Sequence, residues 1–192
     1  RFIEFVNVPE LLLIFNQIAD ICIDPKVLKL KRPAILSGGP KPIEIKPSAE
    51  LLAFIDKCAE RAEQLKNKKP WEDNMLSIMG DSSRAATDLR LVNVMVDHED
   101  SKINTAIKNV FELWKDTSAV DLPGRAEPIG LTQLVFLDVG VPGGSNFPLY
   151  QDMKDKWVAL GIPPEQIAFA HDANTDVQKK ELYNRVNAGR VR

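Results

Sequence analysis

The sequence predicts an α/β fold, in which a partial parallel sheet with flanking helices follows a mainly helical N-terminal region. Two compact apolar runs, at residues 131–138 and 166–171, have the composition of strands that are buried in a parallel sheet. Each run is followed by a polar loop and then by a helical pattern. A strand, a helix and a second strand in this order form a parallel pair with a helical crossover, which is almost always right-handed.

Composition places the chain among ordinary globular proteins. It has 192 residues, of which 44% are apolar and 27% charged, and this is enough to bury a core. The net charge of -2 does not indicate nucleic-acid binding, although a local basic stripe matters more than the sum. No apolar run could span a membrane, and we expect a cytoplasmic fragment of a longer protein, with Cys22 and Cys58 as small buried apolar residues.

Residues 1–47 form the first predicted region. Pro9 suits the first turn of a helix whose apolar face comprises Leu12, Phe15, Ile18 and Ala19. The stretch 25–47 is rich in proline and lysine, which predicts an irregular connection with one short strand at 42–45. Its lysines could contact phosphate or could simply keep a surface loop solvated.

Residues 48–192 form the second region, which begins with three predicted helices. Ser48 can cap the first helix. Asp81 or Ser82 can cap the second, which carries Arg84, Asp88 and Arg90. Arginines at this spacing from an aspartate bind phosphate or pair with the acid, and we favour pairing. The third helix is predicted to start at a Ser101 cap and to bury a stripe of Ile103, Ile107, Val110, Phe111 and Trp114.

Two further helices follow the predicted strands. Leu149, Met153, Trp157 and Leu160 share one face of the first, which Gly161 ends. Thr175 can cap the second, which ends near Gly189. Ligands of parallel sheets collect where strands end, so chemistry is expected at residues 138–144 and 171–175.

The same order of features resembles the second RecA-like lobe of superfamily-two helicases, particularly of Swi/Snf-type DNA translocases. In that family a strand similar to residues 133–138 opens the lobe, and a strand similar to 161–172 follows a helix. A polar segment and a helix come next, here TDVQKKELYNRVNAG, with Val186 where the family has Phe. The run from His171 to Gly189 is especially similar to the helicase part of large bacterial proteins that contain an N6-adenine DNA methylase, and RAATDLRLVN is similar to a run in that group.

The resemblance implies an ATP-dependent DNA helicase or translocase as the intact parent, with DNA, the first helicase lobe and a methylase domain as partners. It implies ATP and magnesium for the parent but no cofactor for this fragment, because Walker A, Walker B and arginine-finger motifs are absent from the sequence. By position in the family, the expected contacts to the DNA backbone are Lys102, Asp138, Gly143, Gly144, Ser145, His171, Asn174, Thr175 and Lys179. Arg84 and Arg90 are possible phosphate contacts.

A different class of function also fits the sequence. The Gly- and Pro-rich loop at residues 139–148 lies where a flavodoxin-like fold binds phosphate, which would suit a stand-alone α/β domain that binds a nucleotide or a partner. Several residues have structural alternatives to a site role. Thr175 could act as an N-cap alone, and His171 could be a hydrogen-bonded histidine at the end of a strand rather than a metal ligand or base.

Overall fold

A computed structural model describes residues 7–19, 39–120, 130–143 and 147–192. The chain divides into two compact units, Arg1–Ile43 and Glu44–Arg192. Within the described residues the regular elements are all helical. The α-helices are α1 (Val8–Ile18), α2 (Ala49–Gln64), α3 (Met75–Thr87), α4 (Lys102–Asp116), α5 (Leu149–Leu160) and α6 (Asp176–Asn187). Short 3₁₀ turns lie at Leu65–Asn67, Leu89–Val92, Pro164–Gln166 and Ala170–Asp172.

The predicted parallel sheet is wrong, because no strand is found anywhere in the part of the chain that the structure describes. Ile167 and Phe169 have β-region dihedral angles, yet neither belongs to a hydrogen-bonded ladder. The predicted strands at 42–45 and 131–138 also lack ladder bonds. Apolar composition therefore sets local backbone preference here, but a sheet needs a neighbouring segment whose N–H and C=O groups pair with it. The fold is mainly helical.

The core lies between α4 and α5. Ile103 and Ile107 of α4 and Leu149, Met153 and Trp157 of α5 are buried, as predicted. The other predicted residues of the α4 stripe are partly buried, and Leu160 of the predicted α5 face is 44% exposed. The two helices are also joined by a hydrogen bond from the Trp157 indole N–H to the carbonyl of Ile107, at 3.2 Å. Burying side chains of this size stabilises the fold by about 1.5–3 kcal/mol each.

Three of the predicted helix starts are confirmed. Ser48 accepts a hydrogen bond from the N–H of Leu51, and Ser101 accepts one from Asn104. Thr175 forms a capping box with Gln178 at the start of α6. The predicted start of α3 at Asp81 or Ser82 is wrong, because Asn74 caps the helix about two turns earlier and the helix ends before Asp88.

The C-terminal residues pack back onto the core near the end of α4. The backbone N–H of Arg192 donates to the carbonyl of Gln166 at 2.9 Å, and its Nη2 donates to the carbonyl of Trp114 at 2.8 Å. Gly130 has a φ of 75°, and a Cβ there would lie 2.1 Å from Arg192 Nη2. Burial lowers the pKa of Arg192, whose Nε has no hydrogen-bond partner among the described residues. Only glycine at position 130 leaves room for this side chain.

Helix α1 belongs to the first unit and carries the predicted apolar residues Leu12, Phe15 and Ile18. None of its residues is buried. Across the described ranges, no helix combines the length and the apolar character needed to cross a bilayer.

Candidate functional site

The candidate site is a cavity of about 390 Å³ at the start of α5, here called the α5 cleft. Two loops that are separate in sequence line it. One is the Gly- and Pro-rich loop before α5, and the other is the segment that follows α5 in the chain. The lining side chains and glycines that matter below are Gly140, Gly143, Phe147, Tyr150, Gln151, Lys154, Phe169 and Asp172.

Gly140 fixes how the loop approaches the helix. It has a φ of 76°, in the left-handed region that favours glycine, and a Cβ there would lie 2.8 Å from Leu149 Cδ2. Leu149 is fully buried, so it has no room to move aside. Pro148 stands at the N-cap of α5 and provides no side-chain cap. The partial positive charge at the start of a helix therefore faces the cleft without a capping side chain from that position.

Three aromatic rings cluster here, of which Tyr150 and Phe169 line the cleft and His171 packs against Tyr150. The ring of Tyr150 meets that of Phe169 edge-on, with 5.7 Å between centroids, and meets that of His171 edge-on at 5.2 Å. Lys154, one turn after Tyr150 on α5, places Nζ 5.5 Å from the centroid of Phe169. The cleft thus combines a cation with an aromatic surface.

A second hollow of about 380 Å³ continues from the cleft along α6. Lys154, Phe169 and Asp172 line both cavities, so the two form one groove. Further along, Glu181 and Arg185 of α6 line the second hollow, and Arg185 donates to the carbonyl of Glu165 at 3.2 Å. Positive and negative side chains balance in this groove, so it is polar without being strongly basic.

Several predicted DNA-contacting residues lie in or beside this groove. Gly143 lines the α5 cleft, and His171 belongs to the aromatic cluster. Asp138 is exposed at the end of the apolar run 131–138, which precedes the loop of the cleft. Gly144 and Ser145 lie outside the described residues.

The start of α6 brings together three of the others. Gln178 Oε1 accepts hydrogen bonds from the backbone N–H groups of Asn174 and Thr175, both at 3.0 Å. Thr175 Oγ1 in turn accepts from the N–H of Gln178. The Thr175 hydroxyl is therefore engaged as a cap, whereas Lys179 is exposed in the first turn of the helix.

Lys102 lies apart from the groove. It is the first residue of α4, and it lines another cavity, of about 370 Å³, with the capping residues Ser48 and Ser101. His98 also lines that cavity, and its Nε2 lies 3.4 Å from a carboxylate oxygen of Glu50.

Arg90 is buried and bound by acids. Its guanidinium makes paired hydrogen bonds with Asp88, at 2.9 and 2.7 Å, and with Asp152 of α5, at 3.2 and 3.0 Å. Burial would lower the pKa of Arg90, but the hydrogen bonds and charges of the two carboxylates outweigh it and raise the pKa. Its Cζ also lies 4.2 Å from the ring centroid of Phe147. These contacts tie the loop before α5 to the segment after α3.

Lys156 extends this ion network at the surface. Its Nζ lies 2.6 Å from Asp97 and 3.1 Å from Asp152. Burial would raise the pKa of Asp97, yet hydrogen bonds from Lys156 and Asn104 outweigh it and lower the pKa. These charged groups join the segment 88–97 to α5, and a hydrogen bond from Lys156 Nζ to Asn104 Oδ1, at 2.9 Å, joins α5 to α4.

Arg84 belongs to a separate network. Its Nη2 lies 2.6 Å from Asp81, which also accepts from Arg61 at 2.8 Å. Arg61 makes a second, paired contact with Asp73, at 3.0 and 2.9 Å, and these hydrogen bonds raise its pKa. Arg61 therefore joins α2 to α3.

Three residues of the cleft, Tyr150, Lys154 and Phe169, were not predicted from the sequence as site residues. Tyr150 and Lys154 are four residues apart on α5, which places them on one face of the helix. That spacing was visible in the sequence, but the proximity of Phe169 was not. Among the described residues, no group of three or more His, Cys, Asp or Glu side chains could hold a metal ion.

Comparison with protein-family models, with curated proteins and with solved structures found no match for this chain.

Proposed function

We propose that the α5 cleft binds the sugar-phosphate backbone of a nucleic acid without sequence preference. The observation that carries this proposal is that a Gly-rich loop, the start of a helix and Lys154 line one cavity. Backbone N–H groups in a glycine turn and the positive end of a helix suit phosphate oxygens. Lys154 supplies the mobile positive charge.

The charge of the site sets the expected strength of binding. Lys154 is the one cationic side chain among the described residues that line the cleft, and Asp172 opposes it, so at most about one phosphate would be neutralised. Affinity for a single strand should then fall with salt at a log–log slope of about -0.7. Binding of this kind is weak by itself and suits one contact surface within a larger protein.

As a wider context, we propose that this surface is the DNA-contacting part of an ATP-dependent DNA helicase or translocase. The support is the resemblance of residues 171–189 to the helicase part of bacterial N6-adenine DNA methylase proteins. ATP, magnesium, a first helicase lobe and a methylase domain would belong to that intact protein. This chain alone would bind DNA and would not hydrolyse ATP.

Anisotropy of a fluorescent single-stranded oligonucleotide, titrated at 50 to 200 mM salt, tests backbone binding. Lys154→Ala should lower the affinity and reduce the salt slope by about 0.7. Lys108→Ala is the matched control, because Lys108 lies on α4 outside the cleft and faces Glu99 at 3.4 Å. Equal effects of the two substitutions, or an affinity that salt does not change, would contradict the proposal.

A second candidate is binding of a free nucleotide, which the cavity of about 390 Å³ beside three aromatic rings favours. A ligand that binds only the native state raises the melting temperature. A thermal-shift series with mononucleotides should therefore show stabilisation that Lys154→Ala removes. If mononucleotides stabilise the chain and oligonucleotides do not bind, the second candidate replaces the first.

A further inference from the structure

The aromatic cluster of the α5 cleft has no role in binding phosphate. Backbone contacts need N–H groups and positive charge, whereas Tyr150, Phe169 and His171 offer ring surfaces. Tyr150 and Phe169 are half-buried and line the cavity, and His171 is exposed beside them. Tyr150 and Phe169 therefore face the same space as the proposed phosphate contacts, and His171 supports the Tyr150 ring from beside the cavity.

We propose that this cluster is a stacking platform for an unpaired base, so that the ligand of the cleft is single-stranded nucleic acid. The inference rests on the proposed function, because the same cleft holds the backbone. A base that lies in the cavity against the ring of Tyr150 or Phe169 would have its phosphate within reach of Lys154, one turn after Tyr150 on α5. Gln151 and Asp172 also line the cavity and offer hydrogen-bonding groups to the edge of the base.

Duplex nucleic acid does not fit this arrangement. In a duplex both faces of each base are covered by neighbouring bases, and a base must leave the stack before a protein ring can cover it. A single strand presents base faces without that cost. The preference for single strands follows from the rings, whereas the salt dependence follows from Lys154 and the loop.

The number of stacked bases sets the expected difference in affinity between a strand with bases and a strand without them. If one base stacks on the rings, about tenfold in affinity is expected, because that is the contribution of one base stacked on aromatic side chains. A strand without bases keeps every phosphate contact and loses only this contribution. The comparison between the two strands therefore isolates stacking from charge.

The test compares three ligands with the same number of phosphates per strand in one buffer at 50 mM salt. They are an oligo-dT strand, an abasic strand of equal length, and a duplex. Oligo-dT should bind about tenfold more tightly than the abasic strand, and more tightly than the duplex. Tyr150→Leu should bring oligo-dT close to the abasic strand, whereas Tyr150→Phe should not. His171→Ala removes the ring that packs edge-on against Tyr150, so it should weaken binding of oligo-dT and leave binding of the abasic strand unchanged.

Tyr183→Leu is the matched control, because Tyr183 is 62% exposed on α6 and does not line the cleft. His171→Ala keeps the test decisive if Tyr150→Leu fails to fold, because His171 is exposed. Equal affinity of oligo-dT and the abasic strand would overturn the stacking proposal and leave backbone binding intact. If neither strand binds, backbone binding fails as well.

Discussion

Replacing Arg90 by methionine should destabilise the fold more than removal of any other arginine contact described above. The guanidinium is the partner of three carboxylates, Asp88, Asp97 at 3.4 Å and Asp152, of which only Asp88 is buried, at 5% exposed. Without Arg90, Asp88 keeps one hydrogen bond, from the backbone N–H of residue 90 at 2.9 Å. Asp152 is less affected, because it is partly exposed and keeps Lys156 at 3.1 Å. The main cost is therefore one uncompensated buried carboxylate.

Removing one partner of a buried ion pair typically costs about 3–5 kcal/mol. Because Asp88 keeps a backbone donor, we expect Arg90→Met to lie near the lower end, at about 3 kcal/mol. Arg84→Met is the matched control. Arg84 is partly exposed, and its partner Asp81 keeps Arg61 at 2.8 Å, so we expect a loss below about 1 kcal/mol.

Urea unfolding followed by circular dichroism at the helix band measures both losses. Adding Asp88→Asn to Arg90→Met removes the orphaned charge and keeps an oxygen for the backbone N–H. The double variant should therefore be more stable than Arg90→Met alone. If Arg90→Met costs no more than Arg84→Met, or if the double variant recovers nothing, the reasoning from an uncompensated charge is wrong.

Three further predictions concern pH, the C-terminal contact and the α6 cap. Hydrogen bonds from Arg61 lower the pKa of Asp81. The stability that they add is therefore present above the ordinary aspartate pKa and is lost as the pH falls through the lowered pKa. In Asp81→Asn the urea midpoint should depend less on pH over that acidic range. Gly130→Ala should lower the free energy of unfolding by at least about 1 kcal/mol, measured with urea, because its Cβ would displace the Arg192 guanidinium. Adding Arg192→Ala should then lower the free energy of unfolding no further. Thr175→Ala should cost about 1 kcal/mol and raise amide exchange at the start of α6, while Thr175→Ser should retain most of the cap.

The helices could be predicted because their signals are local. Ser48, Ser101 and Thr175 each cap the helix that the apolar periodicity of the following residues predicts. Helix α3 shows where this fails. Asp81 resembles a cap in sequence, but it lies inside the helix, where Arg61 of α2 binds it. Asn74 caps the helix instead, and the arginine that binds Asp81 is 20 residues away in the chain.

The sheet could not be decided from the sequence in the same way. The apolar run at 131–138 has strand composition, but strand pairing depends on a second segment at the right distance and direction. Near Thr132 the neighbour is Val191, whose carbonyl oxygen accepts a hydrogen bond from the threonine hydroxyl at 3.4 Å. A side-chain bond of this kind does not start a ladder.

The two loops of the candidate site lie together for a reason that differs from the predicted one. They were predicted to lie at the ends of adjacent parallel strands. In the structure they line one cavity because the first turn of α5 contacts both loops. Leu149 contacts Gly140 of the loop before α5, and Tyr150 contacts Phe169 of the segment after it. Their proximity is a property of one helix, whereas the aromatic wall arises from the path of the chain after Gly161.

The segment 131–137 has a consequence for handling the protein at high concentration. Leu134 and Phe136 are 74% and 86% exposed, and no charged residue interrupts the run from 131 to 137. Uncharged apolar segments with strand composition pair between molecules and aggregate when their backbone groups are unpaired. Precipitation should therefore begin at this segment while the helices remain folded, and a lysine in place of Phe136 should delay it without changing the melting temperature.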